Sequence, residues 1–157
     1  MWLRFIRWFA SKLQRRDICG EDGTLYLSRF KIVGWMPGSS WRLPFSIYLH
    51  RFAHADLDDA PHSHPWKWAF SLVFHGGYLE MRATGADRRD RSWRWLMPGN
   101  CNWLRSDTYH VVTTIKPETW TLFIVGPKAK SWGFWVDGRG HVPWRERLAE
   151  RGIQPDY

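Results

Sequence analysis

His62 and His64 stand two residues apart in the run His62-Ser63-His64-Pro65-Trp66. On an extended strand that spacing projects both imidazoles from one face, so the two rings can enter a single cavity. Imidazole suits zinc, copper, iron and nickel, which makes the pair a candidate half of a metal site. Two ligands hold a metal weakly, so a third is required. His110 is the best placed, because it opens the apolar run His110-Val111-Val112 beyond the Pro98-Gly99 turn. His50 and His54 are second choices, whereas His75 and His141 fall at a hairpin end and in a late loop. Each histidine also has a plainer reading, as a barrel-rim side chain that hydrogen-bonds to backbone or carboxylate. The acidic run Asp56, Asp58, Asp59 lacks the glycine and terminal glutamate of a calcium loop and reads as a solvated turn.

The elements that must position these residues read as short strands between breakers. Candidate strands are 25–33, 45–53, 68–74, 78–83, 92–97, 102–105, 110–115, 120–125 and 132–136. Gly20–Gly23, Pro37-Gly38, 56–61, Gly76-Gly77, 85–90, Pro98-Gly99, Lys116-Pro117 and Gly126-Pro127 separate them. Strands at this spacing predict an antiparallel sandwich or barrel rather than a βαβ fold. Gly76-Gly77 predicts a tight hairpin between 68–74 and 78–81. Pro65 predicts that the histidine pair sits at a strand end.

Residues 2–16 predict a helix, with Trp2, Phe5, Ile6, Phe9 and Leu13 on one side and Arg4, Arg7, Ser11, Gln14 and Arg15 on the other. That stripe could cover the barrel, contact a second copy in a homo-oligomer, or lie on an anionic membrane. A second short helix is expected near 143–148. The expected organisation is a basic amphipathic arm over 1–20, a barrel over 21–147 and a loose tail over 148–157.

The chain has 157 residues, enough for one self-sufficient domain. Its net charge is +8, yet residues 1–16 alone carry five cations and no acid. The remaining body is only mildly basic, which disfavours a nucleic-acid partner despite Arg82–Arg94 and the thirteen tryptophans. Those tryptophans are expected mainly to fill the interior. Cys19 and Cys101, without CxxC spacing, predict free thiols and a cytoplasmic setting. No run reaches the roughly 18 apolar residues of a membrane-spanning helix, and a secretory leader is not expected.

Together these segments resemble the cupin superfamily: HxH on a strand, a Gly-terminated hairpin, a Pro-Gly turn and a later lone histidine. A closer likeness is to small cupin-like proteins of bacteria and tailed phages. It rests on Tyr48-Leu49-His50-Arg51-Phe52, His62-x-His64-Pro65-Trp66, Gly76-Gly77-Tyr78-x-Glu80, Trp120-Thr121-Leu122-Phe123, Gly126-Pro127 and Trp132-Gly133-Phe134, within about residues 25–147. The resemblance implies an all-β double-stranded β-helix, or jelly-roll barrel, with a short N-terminal amphipathic helix outside the likeness. It also implies His62, His64 and His110 as ligands of a divalent transition metal, Fe2+ in preference to Zn2+, Ni2+ or Mn2+. Two departures stand out. The glutamate usually found five residues after the second histidine is Ala69 here, and His110 follows Gly99 by eleven residues rather than three. A three-histidine site remains, as in the thiol-dioxygenase branch.

Three open coordination positions would suit oxygen chemistry on a small polar substrate. Arg51 is the candidate clamp for a substrate carboxylate or phosphate. His50, Tyr78 and Glu80 are candidate proton-transfer residues. Hairpin pairing puts Glu80 opposite Val73, roughly 13 Å from position 69, as a cavity residue and not a ligand. The competing reading is a non-catalytic cupin that binds a small ligand, or a phage-encoded protein-interaction module.

Overall fold

The computed structural model describes residues 1–19, 23–34, 43–56 and 58–152. Helix α1 (Trp2–Ala10) is followed by β1 (Gln14–Cys19), β2 (Leu25–Val33), β3 (Ser46–Phe52), β4 (Trp68–His75), β5 (Tyr78–Thr84) and β6 (Asp90–Leu96). Then come β7 (Cys101–Arg105), β8 (Tyr109–Ile115), β9 (Trp120–Val125), β10 (Gly133–Val136), β11 (Gly140–Pro143) and helix α2 (Trp144–Glu150). The strand candidates therefore appear close to the expected bounds, joined by β1 and β11. The Pro37-Gly38 breaker, most of the Gly20–Gly23 turn and the last five residues of the tail lie outside the described residues.

One sheet runs β1-β2-β3-β9-β4-β7 and a second runs β6-β5-β8, all in antiparallel pairs. His62 extends the second sheet: isolated bridges pair it with His110 of β8 on one side and with Phe134 of β10 on the other. The β10–β11 hairpin is thereby hung on the same layer. The inward face of the larger sheet carries Tyr48, His50, Ala69, Ser71, Asn102, Leu104, Thr121, Phe123 and Val125, by the pairing register and strand alternation. Ala69, Leu104, Phe123 and Val125 form a buried cluster there, with Tyr48 and Trp66 against it. Val73, Tyr78, Leu96 and Val112 form another between the layers.

Two expectations are corrected. Gly76-Gly77 does not close a hairpin, because β4 and β5 belong to different sheets. It is a corner: Gly76 and Gly77 take φ of 74° and 133°, and buried Thr119 accepts the Gly77 N–H at 2.9 Å. The N-terminal helix also ends at Ala10 instead of 16. From Gln14 the chain pairs with β2, where backbone ladder bonds replace helical ones, and Asp17 accepts from Ser28 at 2.8 Å. No described helix is long and apolar enough to cross a membrane.

Candidate metal centre

His62 and His110 face each other as an antiparallel pair. The His62 N–H donates to the His110 carbonyl at 2.8 Å and the His110 N–H to the His62 carbonyl at 3.0 Å. Directly opposed residues project to the same face, so this reciprocal pair brings both imidazoles to one side. His64, two residues along, joins them by strand alternation. Ser63 points the other way, is fully buried, and is held by Gly133: its N–H donates to the Gly133 carbonyl at 2.8 Å. A side chain at position 133 would strike His141 and the Val142 carbonyl, which explains the glycine.

The three rings offer ligand atoms that all lie within 4.8 Å of one another. His64 Nε2 is 2.8 Å from His110 Nε2, and ring centroids are 4.9–5.1 Å apart across the three pairs. Burial pulls the His62 pKa down to about 4, although the nearby Asp56 carboxylate opposes it. Burial and the neighbouring His110 push His64 well below the ordinary histidine range. Both rings are therefore neutral near pH 7, the form that ligates a metal.

Glu80 stands directly behind His110. Its Oε1 accepts from His110 Nδ1 at 2.7 Å, which leaves the His110 Nε2 lone pair pointing at the other rings. The carboxylate is fully buried. Burial alone would raise its pKa, but His110, Arg82 and Asn102 outweigh that and lower it to about 2. Arg82 Nε donates to Oε2 at 2.9 Å, Asn102 Nδ2 to Oε1 at 2.7 Å, and Arg94 lies 3.5 Å from Oε2. The expectation that Glu80 sits about 13 Å from the cupin glutamate position assumed a β4–β5 hairpin. The corner instead sends β5 beside β8, where Arg82 pairs with His110, so Glu80 reaches His110 diagonally. Ala69 is buried among Leu104 and Val125, and among the described residues no carboxylate joins the three histidines as a fourth ligand.

Asp56 was missed in the sequence. Far from solvated, its side chain is 8% exposed, accepts from Tyr26 Oη and from the Val112 N–H (2.6 Å), and lies 3.8 Å from His62 Nδ1. Asp58 is likewise 9% exposed and gripped by Arg147 at 3.0 Å and Arg151 at 2.9 Å. Asp59 alone of the three is solvent-facing.

His50 is buried on the cavity side, stacked on Phe123 at 4.7 Å, and accepts from Arg29 Nε at 3.0 Å. Burial and the Arg29 charge hold its pKa well below the ordinary value. Tyr78 is buried too; its hydroxyl is 3.3 Å from Asn102 Nδ2, and burial with the Glu80 charge raises its pKa. It touches the network behind His110 and not the histidine cluster. Arg51 is not a cavity residue. It points outward, pairs with Glu118 at 2.8 Å, and lines an outer cleft with Arg7, Arg15, Phe30 and Trp120. Strand alternation decides this: Leu49 and Arg51 share the outer face, while Tyr48 and His50 share the inner one. On the His50 side, Arg29 reaches the interior, paired across β2–β3 with His50 and lying over the Tyr48 ring at 5.0 Å. His54, His75 and His141 stand apart from the cluster.

No protein-family model matches the chain, and no curated protein matches it by sequence. Solved structures do match it by shape. Recombinant oxalate oxidase in complex with glycolate superposes with a TM-score of 0.54 at 14% identity, covering 87% of this chain and 71% of the other. FeII HppE gives 0.51 at 16%, over 72% and 56%. A putative mannose-6-phosphate isomerase from Ralstonia eutropha JMP134 gives 0.51 at 13%, over 64% and 84%. This chain spans only about 56% of the length of the HppE structures. At such low identity the likeness speaks to architecture, and the architecture is that of the cupin fold.

Proposed function

We propose that the barrel binds one divalent transition metal through His62, His64 and His110 and acts on a small polar molecule as a cupin-type oxygenase, with Fe2+ the favoured ion over Zn2+, Ni2+ or Mn2+. The observation that carries this reading is the convergence of three ring nitrogens, two half-buried and that of His110 fully buried, with Glu80 behind His110. The donor set fits such an ion: neutral imidazoles suit a borderline metal, and a carboxylate behind a ligand histidine fixes its tautomer and raises its basicity. With His110 Nδ1–H given to Glu80, the 2.8 Å contact to His64 needs a proton between the two Nε2 atoms, a position where a cation would displace it. When bound, an iron(II) ion would supply the site's affinity for O2 and its redox chemistry.

The chain's own residues do the rest. Phe123 and Trp66 pack against His64, with Trp66 stacked on it at 5.5 Å. His50 is neutral with its Nε2 accepting from Arg29, which leaves Nδ1–H as a hydrogen-bond donor for a bound molecule. Arg29, beside His50, is a cation toward which an acidic group of a substrate would turn. The buried Thr121 hydroxyl, without a hydrogen-bond partner among the described residues, offers a polar contact on the same face. A cytoplasmic setting agrees with two exposed free thiols.

A non-catalytic, ligand-binding cupin is the second reading, favoured by one observation: Ala69 replaces the carboxylate that many cupins contribute. Elemental analysis of protein purified without added metal tests the first claim. Near-stoichiometric iron, lost in His62→Ala/His64→Ala/His110→Ala, supports it; equal metal in wild type and variant overturns it. Oxygen uptake by the iron-loaded protein with small carboxylic acids separates the catalytic reading from the binding one.

A further inference from the structure

We propose that α1 docks the barrel onto an anionic lipid surface. The amphipathic stripe predicts Trp2, Phe5 and Phe9 as the buried side. Instead α1 seats Ile6 and Ala10, which are 4% and 2% exposed, against Phe30, Leu49 and Trp120, with Leu3, Phe9 and Leu13 alongside. Trp2, Phe5 and Trp8 are left 53%, 51% and 58% exposed. They form a continuous ridge, with Phe5 5.7 Å from the Trp2 ring and 5.9 Å from the Trp8 ring. Single exposed apolar residues need no explanation, but a contiguous aromatic patch marks an interaction surface.

The charge around the ridge selects the occupant. Arg4, one turn before Trp8 on the helix, and Lys12, just past the helix end, are both exposed. No acidic residue occurs among residues 1–16. Tryptophan and phenylalanine settle at the boundary between headgroups and acyl chains, and flanking cations are drawn to anionic headgroups. A second copy fits poorly. A nine-residue helix is only about 14 Å long, too short a ridge for the roughly 800 Å2 per partner of a stable dimer. Two-fold pairing would also bring Arg4 and Lys12 of both copies together. Nucleic-acid stacking platforms line grooves, whereas this ridge is convex. Docking leaves the histidine site free, since Phe30 and Leu49 face outward and His50 inward.

Vesicle flotation of the full chain tests the proposal. Recovery is expected with phosphatidylcholine vesicles containing about 30% phosphatidylglycerol, and not with phosphatidylcholine alone. Raising NaCl from about 0.1 to 0.5 M should weaken binding at least about tenfold. Phe5→Ser/Trp8→Ser and Arg4→Glu/Lys12→Glu should each lose about tenfold in affinity with an unchanged melting temperature, because all four side chains are exposed. The proposal is overturned by absent or equal recovery on the two vesicle types. It is also overturned if both variants float like wild type, or if Phe5→Ser/Trp8→Ser only converts a dimer to a monomer in sedimentation.

Discussion

Glu80 is the residue on which the site's electrostatics turn. A fully buried carboxylate is costly unless its oxygens are satisfied, and here His110, Asn102 and Arg82 satisfy them. Removing it would take an acceptor from Arg82 Nε, Asn102 Nδ2 and the His110 Nδ1–H together. Glu80→Ala should therefore cost about 3–5 kcal/mol in urea unfolding. Glu80→Gln keeps the shape and one acceptor but removes the charge that polarises His110. It should fold, with metal affinity reduced about 10–100-fold by calorimetry. Arg51→Ala is the matched outward control. It breaks a surface pair with Glu118 and should leave metal content unchanged, with a stability loss under about 1 kcal/mol.

Two connections hold the strands that carry these residues. The Gly76-Gly77 corner moves the chain from one sheet to the other against Thr119, and any side chain at Gly76 would meet the Thr119 backbone. Gly76→Val should cost about 2 kcal/mol or more, from the positive φ and the collision, read as a lower urea midpoint. At the other end, α2 is tied to the loop before His62 through Asp58. Burial would raise the Asp58 pKa, but hydrogen bonds from Arg147, the Ala60 N–H and Arg151 lower it to about 2. Its folded pKa lies below the unfolded value near 3.8, so the tie contributes in full above about pH 4–5. It is lost as the pH falls through 2, a contribution of roughly 2 kcal/mol. Thermal melts of wild type and Asp58→Asn should differ at pH 6 and converge toward pH 2.

The two sheets share one interior, and His62 bridges the second of them to the β10–β11 hairpin, so unfolding should be a single cooperative transition. Metal held between β8 and the 62–64 segment would lock the second layer. Free ion at about 100 times its Kd should add roughly 2.7 kcal/mol, or about 5–10 °C in melting temperature for a chain of this size. His62→Ala/His64→Ala/His110→Ala should show no such increment under the same conditions.

Local pattern made much of this legible. Alternation and breakers marked nearly every strand, and the i, i+2 spacing put His62 and His64 on one face, because strand periodicity is a property of adjacent residues. The outward turn of Arg51 follows from the same alternation once His50 is inward. Contacts between distant segments were not legible. Nothing near Gly76-Gly77 in the chain tells a hairpin from a corner between sheets; only the competition of β7, β8 and β9 for partners decides it. That choice placed Glu80 behind His110 and buried Asp56 beside His62. The helix face was decided in the same way. Residues 2–16 have more apolar residues than one buried face needs, and the shape of the Phe30–Leu49–Trp120 surface selected Ile6 and Ala10 for the interior. The sequence alone specified a barrel of short strands with a histidine pair. Which carboxylate, which cation and which aromatic ridge serve it depended on long-range pairing, whose energy is spread over segments far apart in the chain, Arg7 and Glu118 being 111 residues apart.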